Sequence, residues 1–407
     1  MQSKPTIGHT LTVAFLIAGN LVGAGILALP IKTGLAGFLP SLLAMIAVSA
    51  CMYYSAIVLS AEAIREKEPT FNYPSIYHAY VGVLGKWLAI VANLLILYGL
   101  LVAYLAGATS IITNIFQIPV PSWVVLTVFF LVITFLNLRE AGLMRKYNTL
   151  FMFLLWLSFA VIIVMSEPKV DRSRLMYMDW GFLPCTIPII LTSFHFHNII
   201  PHVCHHLKWH RKIIFTTMLV GMLLAFIMNL LWMQVGSGAL PLTGQTSILS
   251  AFNLDLPSTV PLAKIIANPL FTTFTLLFAL LAITTSYLAN GMGLLGFFED
   301  LANNHFNIPH KWFPPVMAFI PPYIVALVYP NIFLKALNVV GGIGIALLFG
   351  ILPCTIAFKR AKHRTGKIIA VAMLVVFTGF LLFEIAQETN LLKIKPFVEY
   401  WKHGVGK

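Results

Sequence analysis

Apolar residues run along this chain in long blocks separated by short polar connections. Eleven such stretches lie at approximately 9–34, 38–62, 87–114, 121–138, 147–166, 182–203, 212–235, 270–297, 312–329, 332–357 and 367–389. A hydrocarbon layer of about 30 Å needs a helix of about 20 residues, and each stretch can serve as one, with tilt absorbing the longer ones. The pattern predicts an all-α integral membrane protein with eleven transmembrane helices. The connections leave no room for a second folded domain outside the bilayer. The long one is 236–268, which contains Leu240-Pro241-Leu242-Thr243-Gly244 and Asp255-Leu256-Pro257-Ser258-Thr259. A loop of that length more often folds over an entrance than hangs in solvent.

Two of the blocks are interrupted. In the first, Ala18-Gly19-Asn20-Leu21-Val22-Gly23-Ala24-Gly25 places three glycines where a helix would cross the membrane. Each costs a helix roughly 1 kcal/mol relative to alanine. Unwound backbone at membrane depth is tolerated only where it lines a protein cavity. If the helix parts here, the half that restarts turns free N–H groups and a positive dipole end toward the gap, which suits a carboxylate. The half that stops leaves the carbonyls of Gly19 and Val22 for a small cation or an ammonium group. The plainer reading is close helix packing through Gly19-x-x-x-Gly23. A nucleotide-binding glycine loop fits poorly, because it should follow a strand and open a soluble helix.

The second interruption favours the cavity. Thr192-Ser193-Phe194-His195-Phe196-His197-Asn198-Ile199-Ile200-Pro201 brings a proline and two histidines into the sixth block. Proline removes a donor, and histidines at bilayer depth are costly unless they face something polar. Broken helices at corresponding places of two five-helix halves point to an inverted-repeat secondary transporter. The spacing assigns residues 9–166 to one half, 182–357 to the other and 367–389 to an extra helix, all within one membrane domain spanning residues 1–407.

Composition agrees. The chain is 59% hydrophobic and 10% charged, with a mean hydropathy of +0.90. Its net charge of +13 does not mark a nucleic-acid partner, because the basic residues are dispersed among short connections. With the N-terminus inside, 16 of the 26 lysines and arginines fall on the inner side, as the positive-inside rule requires, and the C-terminus falls outside. The N-terminus lacks the pattern of a cleaved signal peptide. Cys51, Cys185, Cys204 and Cys354 are scattered and do not form a disulfide framework. No Asn-x-Ser/Thr acceptor occurs, which fits a bacterial inner membrane.

The two breaks carry a resemblance. Ala18-Gly19-Asn20 with Val22-Gly23 and Gly25, followed by Ile26-Leu27-Ala28-Leu29-Pro30, resembles the first helix of the hydroxy/aromatic amino acid permeases, a branch of the amino-acid-polyamine-organocation superfamily. Ile187-Pro188 through Thr192-Ser193-Phe194, then Phe196-His197 and Pro201, is similar to the sixth helix of its tyrosine and tryptophan permeases. Tyr98, Tyr104 and Gly107-Ala108 match the third, Thr285-Ser286 with Leu294 and Asp300 the eighth, and Val328-Tyr329-Pro330 the end of the ninth. The resemblance implies a leucine-transporter-like fold of five-plus-five inverted repeats with one extra helix. It also implies ion-coupled import of an aromatic amino acid, tyrosine or tryptophan, without a cofactor, through a site between helices 1, 3, 6 and 8.

The candidate substrate-binding residues are Gly19, Asn20, Val22, Gly23, Ala24, Gly25, Tyr98, Tyr104, Thr192, Ser193, Phe194, His195, Phe196 and His197. Phe194, Phe196, Tyr98 and Tyr104 would supply apolar walls, with the tyrosine hydroxyls as handles. Tyr98 and Tyr104 lie about 120° apart around a helix, so one of them, Tyr104 in our reading, reaches the substrate. His195 and His197 point about 200° apart on a regular helix and can share a cavity only if the backbone unwinds. His197 matches the family pattern and either lines the site or supports it through a hydrogen bond. His195 stands where those permeases commonly carry glycine, and reads first as a satisfied interior histidine.

The resemblance implies that Thr285 and Ser286 complete a sodium site with the carbonyls of Gly19 and Val22, as in sodium-coupled members of the fold. Hydroxyls in membrane helices also bond back to their own backbone. Proton-coupled relatives can place a lysine on helix 5, but no ionisable residue lies between Asn148 and Ser166 here. The coupling ion is therefore Na+, or H+ carried by a histidine such as His197. Glu384 in the last block is expected to make a local hydrogen bond or to sit at an exposed end.

Two rivals change the chemistry. His202-Val203-Cys204-His205-His206, with His305 and His310, has the spacing of the histidine boxes of di-iron membrane enzymes, whose imidazoles share a helical face. A third box is missing, and the cluster with His210 reads as a loop beside Lys208, Arg211 and Lys212. The chain is therefore not expected to be an enzyme. A divalent-metal transporter of the same fold would need a carboxylate in the first break. The chain has Asn20 there and no acid from residue 6 to 61.

Overall fold

The structure is a computed structural model that describes residues 5–67, 73–116, 119–139, 141–302 and 310–396. The first apolar block becomes two helices, α1 (Ile7–Leu21) and α2 (Ala24–Ala36), bent 58° from one another. Thr6 caps α1, its Oγ1 accepting the His9 N–H at 3.3 Å. Next come α3 (Phe38–Glu66), the short α4 (Tyr73–Val81), α5 (Val83–Phe116), α6 (Ser122–Arg139) and α7 (Ala141–Ser166). The sixth block splits into α8 (Ile187–Ser193) and α9 (Ile200–His206), followed by α10 (Arg211–Ala239). The long loop carries two small helices, α11 (Ile248–Asn253) and α12 (Thr259–Ile266). The remaining helices are α13 (Pro269–Leu301), α14 (Phe313–Val328), α15 (Phe333–Val339), α16 (Leu352–Arg360) and α17 (Arg364–Glu388).

Among the described residues, nine helices are long and apolar enough to cross a membrane, and the bent pair α1 and α2 makes a tenth. The expected ninth span is α14, shorter at 16 residues and holding Pro321 and Pro322. No strand occurs among the described residues. A membrane bundle of this kind satisfies its backbone within helices and shows apolar side chains to lipid. Trp87, Val128, Val164 and Leu382 are accordingly exposed on its outside.

Between α15 and α16 the chain keeps turning as a π-helix, Val340–Ile351, with Gly341, Gly342, Gly344 and Gly350 buried in it. The wider turn of a π segment is often found beside a functional site. Three hydroxyls donate to carbonyls of irregular backbone from outside it. Tyr77 of α4 donates to Leu348 O at 2.7 Å, Ser55 of α3 donates to Phe349 O, and Tyr73 of α4 donates to His197 O.

The long loop does not hang free. Ser258 donates both its N–H (2.9 Å) and its hydroxyl (2.7 Å) to Leu27 O of α2. At the other end of the bundle, Glu62 is buried, accepts the Tyr80 hydroxyl at 2.9 Å and pairs with Arg360, tying α3, α4 and α16 together. The four cysteines are all free and buried. Glu384 departs from expectation. It is buried and its Oε2 has no partner, rather than resting at an exposed end.

Candidate functional site

The site is assembled by the two breaks. α1 ends at Leu21, where Val22 turns out of the helix (φ −90°, ψ 81°) and its N–H closes back on Gly19 O at 3.2 Å. Gly23 is extended (φ −125°, ψ −151°), and α2 restarts at Ala24. The unwound segment is thus two residues long, inside the glycine-rich stretch that the sequence marks. No backbone N–H reaches the carbonyls of Asn20, Leu21 or Val22 among the described residues. The first N–H groups of α2, from Ala24 on, point into the gap with the positive end of its dipole.

The glycines are required by close approach. A Cβ on Gly25 would lie 3.2 Å from the Cα and N of Ser193, so α2 and α8 touch backbone to backbone at the break. A Cβ on Gly23 would meet Ser286 Oγ at 3.0 Å and stand 3.8 Å from the Tyr104 hydroxyl.

The sixth block parts just after α8. Phe194 closes the helix by donating to Ile190 O at 3.1 Å, and His195 donates to Thr192 O at 3.3 Å. One 3-10 turn, His197–Ile199, then leads into α9. The carbonyls of Phe194 and His195 accept no backbone N–H among the described residues.

Between these breaks lies a cavity of about 770 Å³, bounded by α1, α2, α5, α7, α8, α9 and α13. It begins at the buried Ala24, Gly25 and Tyr104 and runs to the exposed His202 and His206, so it opens toward the end of the bundle where α1 starts. Every residue of α2 is buried on the other side. Of the candidate residues, Gly19, Asn20, Gly23, Ala24, Gly25, Tyr104, Thr192, His195, Thr285 and Ser286 line the cavity.

The others stand elsewhere, for local reasons. Tyr98 turns away, donating to Met317 O of α14 at 2.6 Å. Val22 is buried beside the break, and Ser193 sits behind Gly25 with its hydroxyl on Ile189 O at 2.9 Å. Phe194 packs on Phe226 with ring centres 6.0 Å apart, and Phe196 packs on His197 at 5.2 Å. The aromatic walls come instead from Phe15 of α1, Phe153 and Trp156 of α7, and Tyr104.

His195 is expected from the sequence as a satisfied interior histidine, and His197 either at the cavity or in support of it. His195 lines the cavity, with its Nε2 unpartnered, while His197 is fully buried behind it, their rings parallel and 6.0 Å apart. Their direction depends on how the backbone turns after Phe194, which helical periodicity does not set.

The hydroxyls are partly committed. Thr285 Oγ1 donates to Leu281 O at 2.8 Å, bonding back to its own helix, and the Gly19 carbonyl takes the Val22 N–H at 3.2 Å. Thr192 Oγ1 reaches both Pro188 O (3.0 Å) and Leu337 O (3.1 Å). Asn290, which sequence reasoning missed, donates to Ser286 O at 2.9 Å and to the Tyr104 hydroxyl at 3.3 Å. Its position four residues after Ser286, hence on the same helical face, was the available signal. His9 and Asn198 also line the cavity without having been singled out.

The histidine box takes a different form. His202 and His206 bond to one another through their Nε2 atoms at 2.9 Å, and His206 O is met by His9 Nε2 at 2.9 Å. His205 lies against Trp209, with ring centres 6.0 Å apart. His305 lies outside the described residues. Among the described residues, no group of three or more His, Cys, Asp or Glu is placed to hold a metal ion. The cavity lining carries no carboxylate, so a dication would meet none of its usual hard anionic ligands there.

Helices unwound in pairs around a cavity inside an all-helical membrane bundle define the leucine-transporter-like fold class. A manganese transporter from Eremococcus coleocola has this fold, with a TM-score of 0.61 at 13% identity over 100% of this chain and 92% of that one. The sequence profile of the tryptophan/tyrosine permease family matches residues 7–387, and the chain belongs to that family. It is 27% identical to tyrosine-specific transport system 1 of Haemophilus influenzae over 88% of each chain. It is also 27% identical to glutamine transporter 2 of Aliivibrio fischeri, over 87% of this chain and 90% of that one.

Proposed function

We propose that this protein imports an aromatic amino acid, tyrosine or tryptophan, across a bacterial inner membrane by alternating access, in symport with H+ or Na+. The observation that carries the reading is one cavity combining the N–H end of α2 with walls from Phe15, Tyr104, Phe153 and Trp156. In it, the amides from Gly23 to Gly25 hold the carboxylate, and the free carbonyls of the sixth-helix break take the ammonium. The aromatic side chain packs on the α7 wall, with the Tyr104 hydroxyl as a polar handle. The positive-inside bias puts the N-terminus in the cytoplasm and the C-terminus in the periplasm. The cavity mouth near His9 then faces inward, with the long loop on the outer side. The two five-helix halves, 9–166 and 182–357, would rock against one another around this site.

The test is uptake of labelled amino acids into proteoliposomes, with sodium and proton gradients imposed separately. Tyrosine or tryptophan should accumulate, and Gly25→Val should abolish this while the protein still inserts. Unchanged uptake by that variant would sink the site assignment. Uptake of glutamine, serine or threonine without competition from aromatic amino acids would overturn the substrate.

A further inference from the structure

Above the cavity, on the side closed by the long loop, lies a second group of ionisable side chains that substrate binding does not use. Lys32 of α2 is nine residues beyond Gly23, roughly 13 Å along the helix. It is 5% exposed, and its Nζ stands 4.9 Å from the centre of the Phe252 ring of α11. The acidic groups near enough to act on it are Cys185 before α8, Asp255 between α11 and α12, and Glu384 and Glu388 of α17.

Their partners can be counted. Glu388 pairs with Lys335 of α15 at 3.4 Å. Cys185 Sγ accepts from Gln387 at 3.1 Å. Asp255 Oδ1 accepts the Leu334 N–H at 3.0 Å, while its Oδ2 has no partner. Glu384 is 1% exposed with Oε2 unpartnered, and among the described residues neither it nor Lys32 forms an ion pair.

One buried lysine therefore shares its surroundings with a buried carboxylate, Glu384, and a half-buried one, Asp255. Both cannot stay ionised cheaply inside a membrane protein, and a proton is the simplest neutraliser. Asp255 has a backbone donor favouring its anion, whereas Glu384 has none, which puts the proton on Glu384.

Glu384 is also connected to the cavity. A Cβ on Gly342 of the π segment would meet Glu384 Cγ at 2.5 Å, and one on the adjacent Gly341 would meet Pro188 O at 1.9 Å and Thr192 Oγ1 at 2.5 Å. The π segment thus touches Glu384 at Gly342 and the cavity-lining Thr192 at Gly341, and Lys32 rides on the helix whose start lines the cavity.

Building on the permease reading, we propose that Glu384, buried against the π segment, is the proton-binding site that drives transport, separate from the amino-acid cavity. A proton from the outer solution joins the Glu384 carboxylate when the loop carrying Asp255 lifts. The neutral carboxyl lets Lys32, Asp255 and the loop close together, and the proton leaves past Thr192 once the inner cavity is open.

The experiment compares counterflow, which needs amino-acid binding without net proton movement, with accumulation driven by an inward proton gradient. Glu384→Gln should keep counterflow and lose gradient-driven accumulation at least tenfold. Glu384→Asp should restore accumulation with a shifted pH profile, and serves as the informative variant if the Gln form does not insert. Proton-driven accumulation by Glu384→Gln at the wild-type level, or an unshifted profile in Glu384→Asp, overturns the proposal. So does wild-type accumulation that follows sodium alone. Absence of aromatic counterflow in the wild type would instead defeat the underlying permease reading.

Discussion

Gly25 and Gly19 both lie in the first break but answer to different neighbours. A methyl at Gly25 would press on the Ser193 backbone at 3.2 Å, whereas one at Gly19 would meet Met152 Cε, the movable end of a side chain. Gly25→Ala should therefore lower uptake about tenfold or more, equivalent to about 1.4 kcal/mol, and Gly19→Ala should cost clearly less. Initial uptake rates normalised to inserted protein test the order, and equal losses would refute it. Tyr104→Phe removes the hydroxyl that accepts from Asn290 at 3.3 Å. A loss of about 1 kcal/mol, roughly fivefold in apparent affinity, is expected for a buried neutral bond, read as competition between tyrosine and its analogues. At this scale the glycines were legible because they answer to backbone approach. His195 and His197 were not, because their directions follow from the φ/ψ path of an unwound segment.

Among the elements, the loop helices α11 and α12 are the ones whose role rests on very few bonds. Ser258 fastens them to α2 twice, through its N–H and its hydroxyl on Leu27 O. Ser258→Ala removes one of the two and should favour the lifted loop by about 1 kcal/mol. A cysteine at the buried Thr259 should then react about fivefold faster with an impermeant maleimide added outside. An unchanged rate would show that the loop is held by other contacts. The sequence announced this loop by its length and its prolines. It did not announce α4, whose Tyr73 and Tyr77 donate to carbonyls at His197 and Leu348. Those acceptors belong to irregular backbone far away in the chain, and nothing near residue 73 records them. The π segment escaped for a related reason, since the neighbours packed against Gly341 and Gly342, Pro188, Thr192 and Glu384, lie far from it in the chain.

For the molecule as a whole, the closed loop is linked to proton concentration. Burial pushes the Asp255 carboxyl up to about 6, above its ordinary value of 3.8, against the opposing pull of the Leu334 N–H and Lys32. A group whose affinity for protons is higher when the loop is closed favours closure as the pH falls through about 6, and favours opening as the pH rises past it. Labelling of the Thr259 cysteine from outside should thus slow between pH 7 and pH 5, after correction for thiol ionisation. Asp255→Asn should weaken the dependence, leaving the part carried by Glu384, and a slope of the opposite sign would contradict the linkage. The same direction suits the proposed import, in which an acidic outer solution would close the outer side and commit the cargo inward.

By itself the sequence determined the membrane class, the family and the two places where helices part, because these follow from run length, glycine spacing and proline, all local along the chain. Only the tertiary structure decided which side chains share a space. It brought Asn290 to Tyr104, turned Tyr98 onto Met317, put His195 at the cavity with His197 behind it and packed Glu384 against Gly342 of the π segment. Those pairings join residues up to hundreds of positions apart, and the direction of each side chain is set by the bend of a broken helix and by what packs behind it.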